Sequence, residues 1–569
     1  MAFSKPVFSP IFRSPIILSN KITRISANNS NHGLPIPSSA QAARSRVLEN
    51  EILDNICNRR FKKLTEAKNA FRKVLEEDDD HLSLESLEMI DSVQRLGIEY
   101  HFQDEINEVL ENHYKKTSSG YTHQKHDLSQ VAIRFRLLRQ QGYCVPADVF
   151  KKFKNKEGKF KQELACDIKG LMELYEASQL SVEGEDILDE ARVFSGPLLS
   201  ASTLHLDDYQ AGIVLNTLKN PFHKNLARSM VIKNLKLGSN KSEDVFMELA
   251  KLDFNMFQSF HRDEIVHISK WWRNKFGFAA EMKFGREEPL EWLSWPLATL
   301  ADPNLSAQRV ELAKVVSLFH LIQDVFYFYG SIDQLTLFVQ AVNRWDIAAA
   351  KDLPEYMIMC LRALYEITDE IAHKIYTECG YNPKRSLQNA WIKLCNAFLG
   401  TAKWAAVGQL PKAEYYLKIA NDTSAVNVVL VHIFFLLGEA LTMKTINLVD
   451  NDPGIISSAA SIFCLSGGPK ITKDEDRNGG SGSYMKCYMR QYPFSSVQEA
   501  KMHTVEMISN KWKQLNKQCL SPNPFSPCFN KAALNCARLA PLMCGFDNNE
   551  NLPSLQKHMK SLLFERIAI

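Results

Sequence analysis

Apolar side chains recur every three to four positions through most of the chain. In Leu48-Glu-Asn-Glu-Ile-Leu-Asp-Asn-Ile56, the residues Leu48, Ile52 and Ile56 fall four apart, which places them on one side of a helix. The stretch Leu82–Ile98 repeats the pattern. There Ser83 can cap the start, because its hydroxyl accepts from a free first-turn N–H, and Gly97 can end the helix in a left-handed conformation. Further helices are predicted at Phe102–His113, Leu128–Gln141, Ala147–Phe153, Leu164–Ala177 and Gly184–Val193. Long apolar/polar alternation, the mark of half-buried strands, is absent. The predicted class is all-α, with loops marked by Gly, Pro and polar clusters. The loop Lys236-Leu-Gly-Ser-Asn-Lys-Ser242 and a fresh helical start at Leu252 place a boundary between about Leu237 and His261, giving helical domains over 41–250 and 251–569.

The 569 residues are 45% hydrophobic and 23% charged, enough for two large globular domains. Net charge is +3 with the basic residues scattered, which disfavours a nucleic-acid surface. No stretch reaches about 18 consecutive apolar residues, so no membrane span is expected. The 12 cysteines contain no Cys-x-x-Cys pair, which predicts reduced, mostly buried thiols and no zinc site. The 15 histidines include no i, i+4 pair around a glutamate, and no Gly-x-Ser-x-Gly or phosphate-binding glycine loop occurs. The first acidic residue is Glu49, preceded by Lys5, Arg13, Lys21, Arg24, Arg44 and Arg46 among many Ser, Pro and Asn. A basic, Ser-rich, acid-free leader of this kind reads as an organelle transit peptide over residues 1–40, with order expected from about Ser39.

Several segments carry a family likeness. Asp91-Ser-Val-Gln-Arg-Leu-Gly-Ile-Glu-Tyr-His-Phe-Gln-Asp-Glu-Ile106 and Phe135-Arg-Leu-Leu-Arg-Gln-Gln-Gly-Tyr143 lie in the first half. Trp271-Trp-Arg, Lys283-Phe-Gly-Arg-Glu-Glu-Pro-Leu, Asn343-Arg-Trp-Asp, Val431-His-Ile-Phe-Phe-Leu-Leu-Gly and Ser521-Pro-Asn-Pro-Phe lie in the second. Between them, Val315-Val-Ser-Leu-Phe-His-Leu-Ile leads into Gln323-Asp-Val-Phe-Tyr-Phe-Tyr-Gly-Ser-Ile-Asp333. In this order the segments resemble the plant class I terpene synthases from about Gln41 to Ile569. The resemblance implies an N-terminal α-barrel-like domain that usually carries no class I chemistry, and a C-terminal class I α-bundle. It implies Mg2+- or Mn2+-dependent ionisation of a prenyl diphosphate, geranyl diphosphate first among the candidates, in a chloroplast protein acting as a monomer. Arg59-Arg60 is not followed by the tryptophan that many members carry, which resembles the subgroup making acyclic or simple monoterpenes. The two arginines themselves are expected to be solvated helix charges.

The chemistry of such a site is demanding. A departing diphosphate must be neutralised by magnesium and by cationic side chains. Magnesium requires near-octahedral oxygen ligands, which carboxylates on facing helices would supply. The family's Asp-Asp-x-x-Asp frame falls on Gln323, Asp324, Val325, Phe326 and Tyr327. Its ligand positions, one helical turn apart, hold a neutral amide and a phenol, Gln323 and Tyr327. Asp324 is a tentative metal ligand, and at its position a partnership with Arg or Lys is the stronger expectation. The second metal frame falls on Gly467-Gly-Pro-Lys-Ile-Thr-Lys-Asp-Glu475, with ligand positions at Gly467, Ile471 and Glu475. Only Glu475 keeps an oxygen ligand. Each glycine costs a helix roughly 1 kcal/mol against alanine and an interior proline about 3, so the preceding helix is expected to stop near Leu465. The diphosphate-contacting arginine position is Cys464. Arg286 matches the first arginine of an Arg-x-Arg segment whose second position is Glu288, and would bind diphosphate. Trp295 matches a pocket-floor aromatic, with plain core as the other reading. Cys544 stands where the family often has tyrosine. Two functions are open: a family member with impaired or lost catalysis, able to bind an isoprenoid or a partner, and an active plastidial monoterpene synthase using substitute ligands among Asp324, Asp333, Asp474 and Glu475. A helical scaffold without ligand is the third.

Overall fold

The computed structural model describes residues 39–77, 83–118, 127–237, 244–276, 287–408, 410–467, 484–544 and 555–568. These are helical almost throughout, and their only strand-like pairing is an isolated bridge between Lys154 and Phe160. The described cysteines are all free thiols, and no single described helix is long and apolar enough to cross a membrane. The leader lies outside the described residues, which begin with the helix Ser39–Glu77. Internal contacts divide the chain into two compact units. One runs to Arg262 and takes in Leu520–Pro522 and the residues from Lys560; the other comprises Asp263–Cys519 and Asn523–Met559. The division falls inside a single helix, Val245–Phe276, which starts earlier than the pattern at Leu252 predicted because Asp244 accepts the N–H of Phe246 at 2.9 Å.

The first unit follows the periodicity closely. Ser83 caps the helix Leu84–Arg95 by accepting from the Ser86 N–H at 3.1 Å, and Leu87, Ile90 and Val93 face inward. Gly97 follows with φ 70°, and a Cβ there would lie 2.7 Å from Val231 Cγ2, so the position needs glycine for both backbone and space. Arg60 is not the solvated charge that the sequence suggested. It pairs with Asp253, which is buried and also accepts hydrogen bonds from Tyr100 and, at 2.7 Å, from His101. Arg59 is half exposed and pairs with Glu248. Helical period predicts which face Arg60 occupies, but only folding shows that an aspartate waits there.

Burial alone would raise the Asp253 carboxyl, but the hydrogen bonds and charge of His101, Tyr100 and Arg60 hold it below the usual carboxylate range. A depressed folded-state pKa gives stability that is present above the unfolded pKa and is lost as pH falls through the folded one. Asp253→Asn is therefore expected to cost about 1–3 kcal/mol near neutral pH, with the gap to the unmodified chain closing below about pH 4. Urea melts of both proteins across that range check this.

The second unit is a helical bundle around Val426–Leu437, whose residues are buried from Val426 to Leu436. A helix apolar on all sides belongs at the centre of a bundle. Against it pack Ser306–Asp324, Lys384–Val407, Gly454–Ser466 and Pro527–Cys544. A buried ion pair is built into this core. Arg309 is 1% exposed and donates to both oxygens of Glu264 (2.8 to 3.2 Å) and to the carbonyls of Leu300, Asp302 and Pro303.

Candidate functional site

The helix Ser306–Asp324 carries the first candidate motif, and its α-geometry ends at the motif itself. Val325–Tyr329 form a single π turn, closed by the Gly330 N–H donating to the Val325 carbonyl at 2.9 Å. The five-residue loop of that bond turns Tyr327 off the α-helical stack expected to align it with Gln323. Gly330 is required by close approach: a Cβ there would sit 2.5 Å from Leu335 Cδ2. Ser331 then opens the helix Ile332–Arg344 with a capping box closed by Gln334.

Gln323 and Asp324 are both buried, at 8% and 4% exposure. Tyr327 is half buried and stands edge-on to Phe398, ring centroids 5.7 Å apart. Burial pushes its hydroxyl well above the ordinary phenol value, and the nearby Cys464 adds to this, so Tyr327 stays neutral. Asp333 is exposed in the first turn of its helix.

The second wall that the family likeness implies is the helix Gly454–Ser466, which ends at Ser466 with Gly467 as its C-cap, close to the predicted stop. Cys464, where the family likeness expects a diphosphate arginine, is buried in an apolar cluster with Ala413, Leu417, Ala420, Leu465, Tyr484 and Cys487, against which Tyr416 packs. Burial raises Tyr416 well above the phenol range, with Cys464, Cys487 and Tyr327 adding, and burial pushes Cys487 up to about 12. Tyr416, Tyr484 and Cys487 were missed in the sequence. They come from helices far along the chain, and no spacing links them to either motif.

Trp295, in the helix Pro289–Thr299, is 1% exposed, and its ring centroid lies 5.0 Å from that of Phe463, the residue before Cys464. Glu288 precedes this helix at the N-cap without a side-chain capping bond. Arg286, Ile471, Asp474 and Glu475 lie outside the described residues, and Cys544 is the last residue of Pro527–Cys544. Among the described residues, no group of three or more His, Cys, Asp or Glu could hold a metal ion. Among the described motif positions, Gln323, Asp324, Tyr327 and Cys464 supply one carboxylate, where magnesium usually takes several oxygen ligands.

Two family models match the chain: "Terpene synthase, N-terminal domain" over residues 39–217 and "Terpene synthase family, metal binding domain" over residues 274–514. "Probable terpene synthase 4" of Ricinus communis is 55% identical over 544 residues, 94% of this chain and 95% of that protein. The chloroplastic S-(+)-linalool synthase of Arabidopsis thaliana is 40% identical over 486 residues, 84% of each chain. Among solved structures, isoprene synthase from grey poplar leaves (Populus x canescens), in complex with three Mg2+ ions and dimethylallyl-S-thiolodiphosphate, superposes with a TM-score of 0.82. It is 32% identical, with 91% of this chain and 99% of that one covered.

Proposed function

The chain belongs to the terpene synthase family, and from that premise we propose that it is a member whose metal-dependent ionisation of a prenyl diphosphate is impaired or lost. One observation carries this reading. At the positions where the family likeness puts a metal-binding carboxylate and a diphosphate arginine, the chain holds Tyr327, half buried with a hydroxyl kept protonated by desolvation, and Cys464, buried in an apolar cluster. Leaving-group charge in the family reaction is offset by ions and fixed cations, and neutral groups supply little of that stabilisation. Geranyl diphosphate is the proposed substrate of the parent reaction, since the chain lacks the tryptophan after Arg59-Arg60, as the subgroup making simple monoterpenes does.

The test is product analysis with geranyl, farnesyl and geranylgeranyl diphosphates, each with magnesium or manganese, alongside calorimetry with magnesium alone. Little or no terpene product and no stoichiometric magnesium binding are expected. Turnover that restoring the missing ligands does not improve, or tight magnesium binding without diphosphate, would sink the proposal in favour of an active enzyme with substitute ligands.

The leader is proposed to direct the chain to the plastid, as the chloroplastic naming of relatives such as the Arabidopsis linalool synthase supports. A reporter fused to residues 1–48 should enter plastids; a cytosolic reporter would refute the targeting.

A further inference from the structure

Two stretches of the second unit, distant in the chain, meet beside one turn. One runs from the end of the helix Lys384–Val407 into the helix Ala413–Thr423; the other is the helix Tyr484–Gln491, the turn after it and the start of Val497–Cys519. Arg490 donates to the Leu410 carbonyl at 3.1 Å. The Gln491 amide holds both stretches: its Oε1 accepts the Ala413 N–H at 3.2 Å, and its Nε2 donates to the Tyr492 hydroxyl at 3.4 Å. The rings of Trp404 and Tyr415 lie 5.4 Å apart and tie the end of the first helix to the second. Behind the turn, the Tyr488 ring stacks on His503 with centroids 4.4 Å apart. Ser496 caps Val497–Cys519 by accepting the Glu499 N–H at 3.1 Å, while the Glu499 carboxylate accepts the Ser496 N–H at 2.7 Å. The turn is therefore held at both ends, and Tyr492-Pro-Phe494 is its tip.

This junction presents apolar side chains that no described residue covers. Val407, Tyr415, Tyr492, Val497 and Met502 are each half exposed or more, and Phe494 is fully exposed. Its charge is one-sided as well. Residues 401–420 and 484–505 carry Lys403, Lys412, Lys418, Lys486, Arg490 and Lys501 against two carboxylates, Glu414 and Glu499, whereas the whole chain is nearly balanced at 68 basic and 65 acidic residues. Lys403, Lys412, Lys418 and Arg490 are exposed, and Lys486 and Lys501 are partly so. Apolar tips set among cations match a surface that is apolar within and anionic at its rim. A second copy of the chain would bring the same cations to the contact, so like charges oppose that pairing. A nucleic-acid backbone matches the cations but gives Val407, Val497 and Met502 no apolar partner.

We propose that this junction docks the chain on the surface of an anionic lipid bilayer. Phe494 enters the boundary between headgroups and acyl chains, and the rings of Tyr415 and Tyr492 sit at headgroup level, where an aromatic body and a polar tip are both accommodated. The lysines and Arg490 lay their stems on the apolar surface and reach the lipid phosphates with their charged ends. Neither signal suffices alone, since one small apolar anchor or a few cations bind a membrane only weakly. The chain lies on the bilayer rather than crossing it, in keeping with the lack of a single described helix long and apolar enough to span. Docking of this kind is independent of whether the chain ionises a prenyl diphosphate.

The experiment is co-sedimentation of the full chain with vesicles of phosphatidylcholine alone and of phosphatidylcholine and phosphatidylglycerol in equal parts. Saturable binding to the mixed vesicles is expected, with little to phosphatidylcholine alone. Affinity should fall about tenfold in Phe494→Ser, the loss expected when one apolar ring no longer leaves water, and should be kept in Phe494→Trp. It should fall by a similar factor in the double variant Lys412→Gln with Lys501→Gln, and as salt is raised. Phe494 and Lys412 are exposed and Lys501 is partly so, and circular dichroism confirms that each variant is folded. Absence of binding to the mixed vesicles overturns the proposal, as does equal binding to phosphatidylcholine alone. Unchanged affinity in Phe494→Ser or in the lysine double variant overturns it too. A vesicle-free dimer that Phe494→Ser converts to monomer would instead assign the surface to a second copy of the chain.

Discussion

Magnesium-dependent release of diphosphate from geranyl diphosphate is expected to appear only when both walls of the site are rebuilt together. Gln323→Asp with Tyr327→Asp supplies carboxylates on the first wall. Cys464→Arg, with Asp-Asp-Leu-Gly-Thr in place of Gly467-Gly-Pro-Lys-Ile471, returns the cation and the ligand positions on the second and removes the helix-breaking residues. Losing a single preorganised group that stabilises developing charge typically costs about a hundred- to a thousandfold in rate, so the combined variant should exceed the unmodified chain by at least about a thousandfold. Either wall alone should give almost nothing, because ligands of one metal cluster act as a unit.

The structure adds a condition to that outcome. Tyr327 is half buried with its hydroxyl desolvated, and Cys464 is buried with Leu417, Tyr484 and Cys487. An aspartate placed at 327 alone would be a carboxylate without a cation, protonated or destabilising. An arginine at 464 alone would be a buried charge without a partner. Each half is therefore expected to melt lower than the unmodified chain, and the combined variant to recover part of the loss when magnesium and diphosphate are added. Diphosphate release and melting temperature, measured on the same preparations, check both statements. Equal turnover by the unmodified and rebuilt chains would mean that a different set of ligands does the work.

Arg309→Met is expected to have the largest effect on stability. It removes the cationic partner of the buried Glu264, which keeps the Ser306 hydroxyl as a donor, and takes away the guanidinium N–H groups donated to the carbonyls of Leu300, Asp302 and Pro303. Breaking one side of a buried ion pair typically costs about 3–5 kcal/mol, because the remaining charge stays desolvated and unpaired. The double variant Arg309→Met with Glu264→Gln should recover part of the loss, since it removes the stranded charge. The midpoint of chemical unfolding for the three proteins measures the coupling. A single variant within about 0.5 kcal/mol of the unmodified chain would show that the network contributes little.

Much of the fold was legible along the chain because helical period is a local property. The spacing of Leu87, Ile90 and Val93, the cap at Ser83 and the stop at Gly97 all appear where the sequence places them. The helix end at Ser466 could likewise be read from glycine and proline, whose effect acts through the backbone of their own turn. The motif positions Gln323, Tyr327 and Cys464 were visible in the order of residues, and so was their lack of carboxylates and cation.

What tertiary structure decided is which of these groups meet and in what medium. Arg60 looked like a solvated charge because its own helix gives no sign of Asp253, and a long-range ion pair has no signature in local spacing. The π turn at Val325–Tyr329 comes with the close packing of Gly330 on Leu335, and helical period cannot foresee it. Tyr416, Tyr484 and Cys487 reach Cys464 from separate helices and make its surroundings apolar. The sequence determined which chemical groups the chain carries and the helices that hold them. Whether a phenol or a thiol sits in water or in an apolar enclosure, and so whether it can take a charge, depends on desolvation by residues distant in the chain, and only the folded packing sets that.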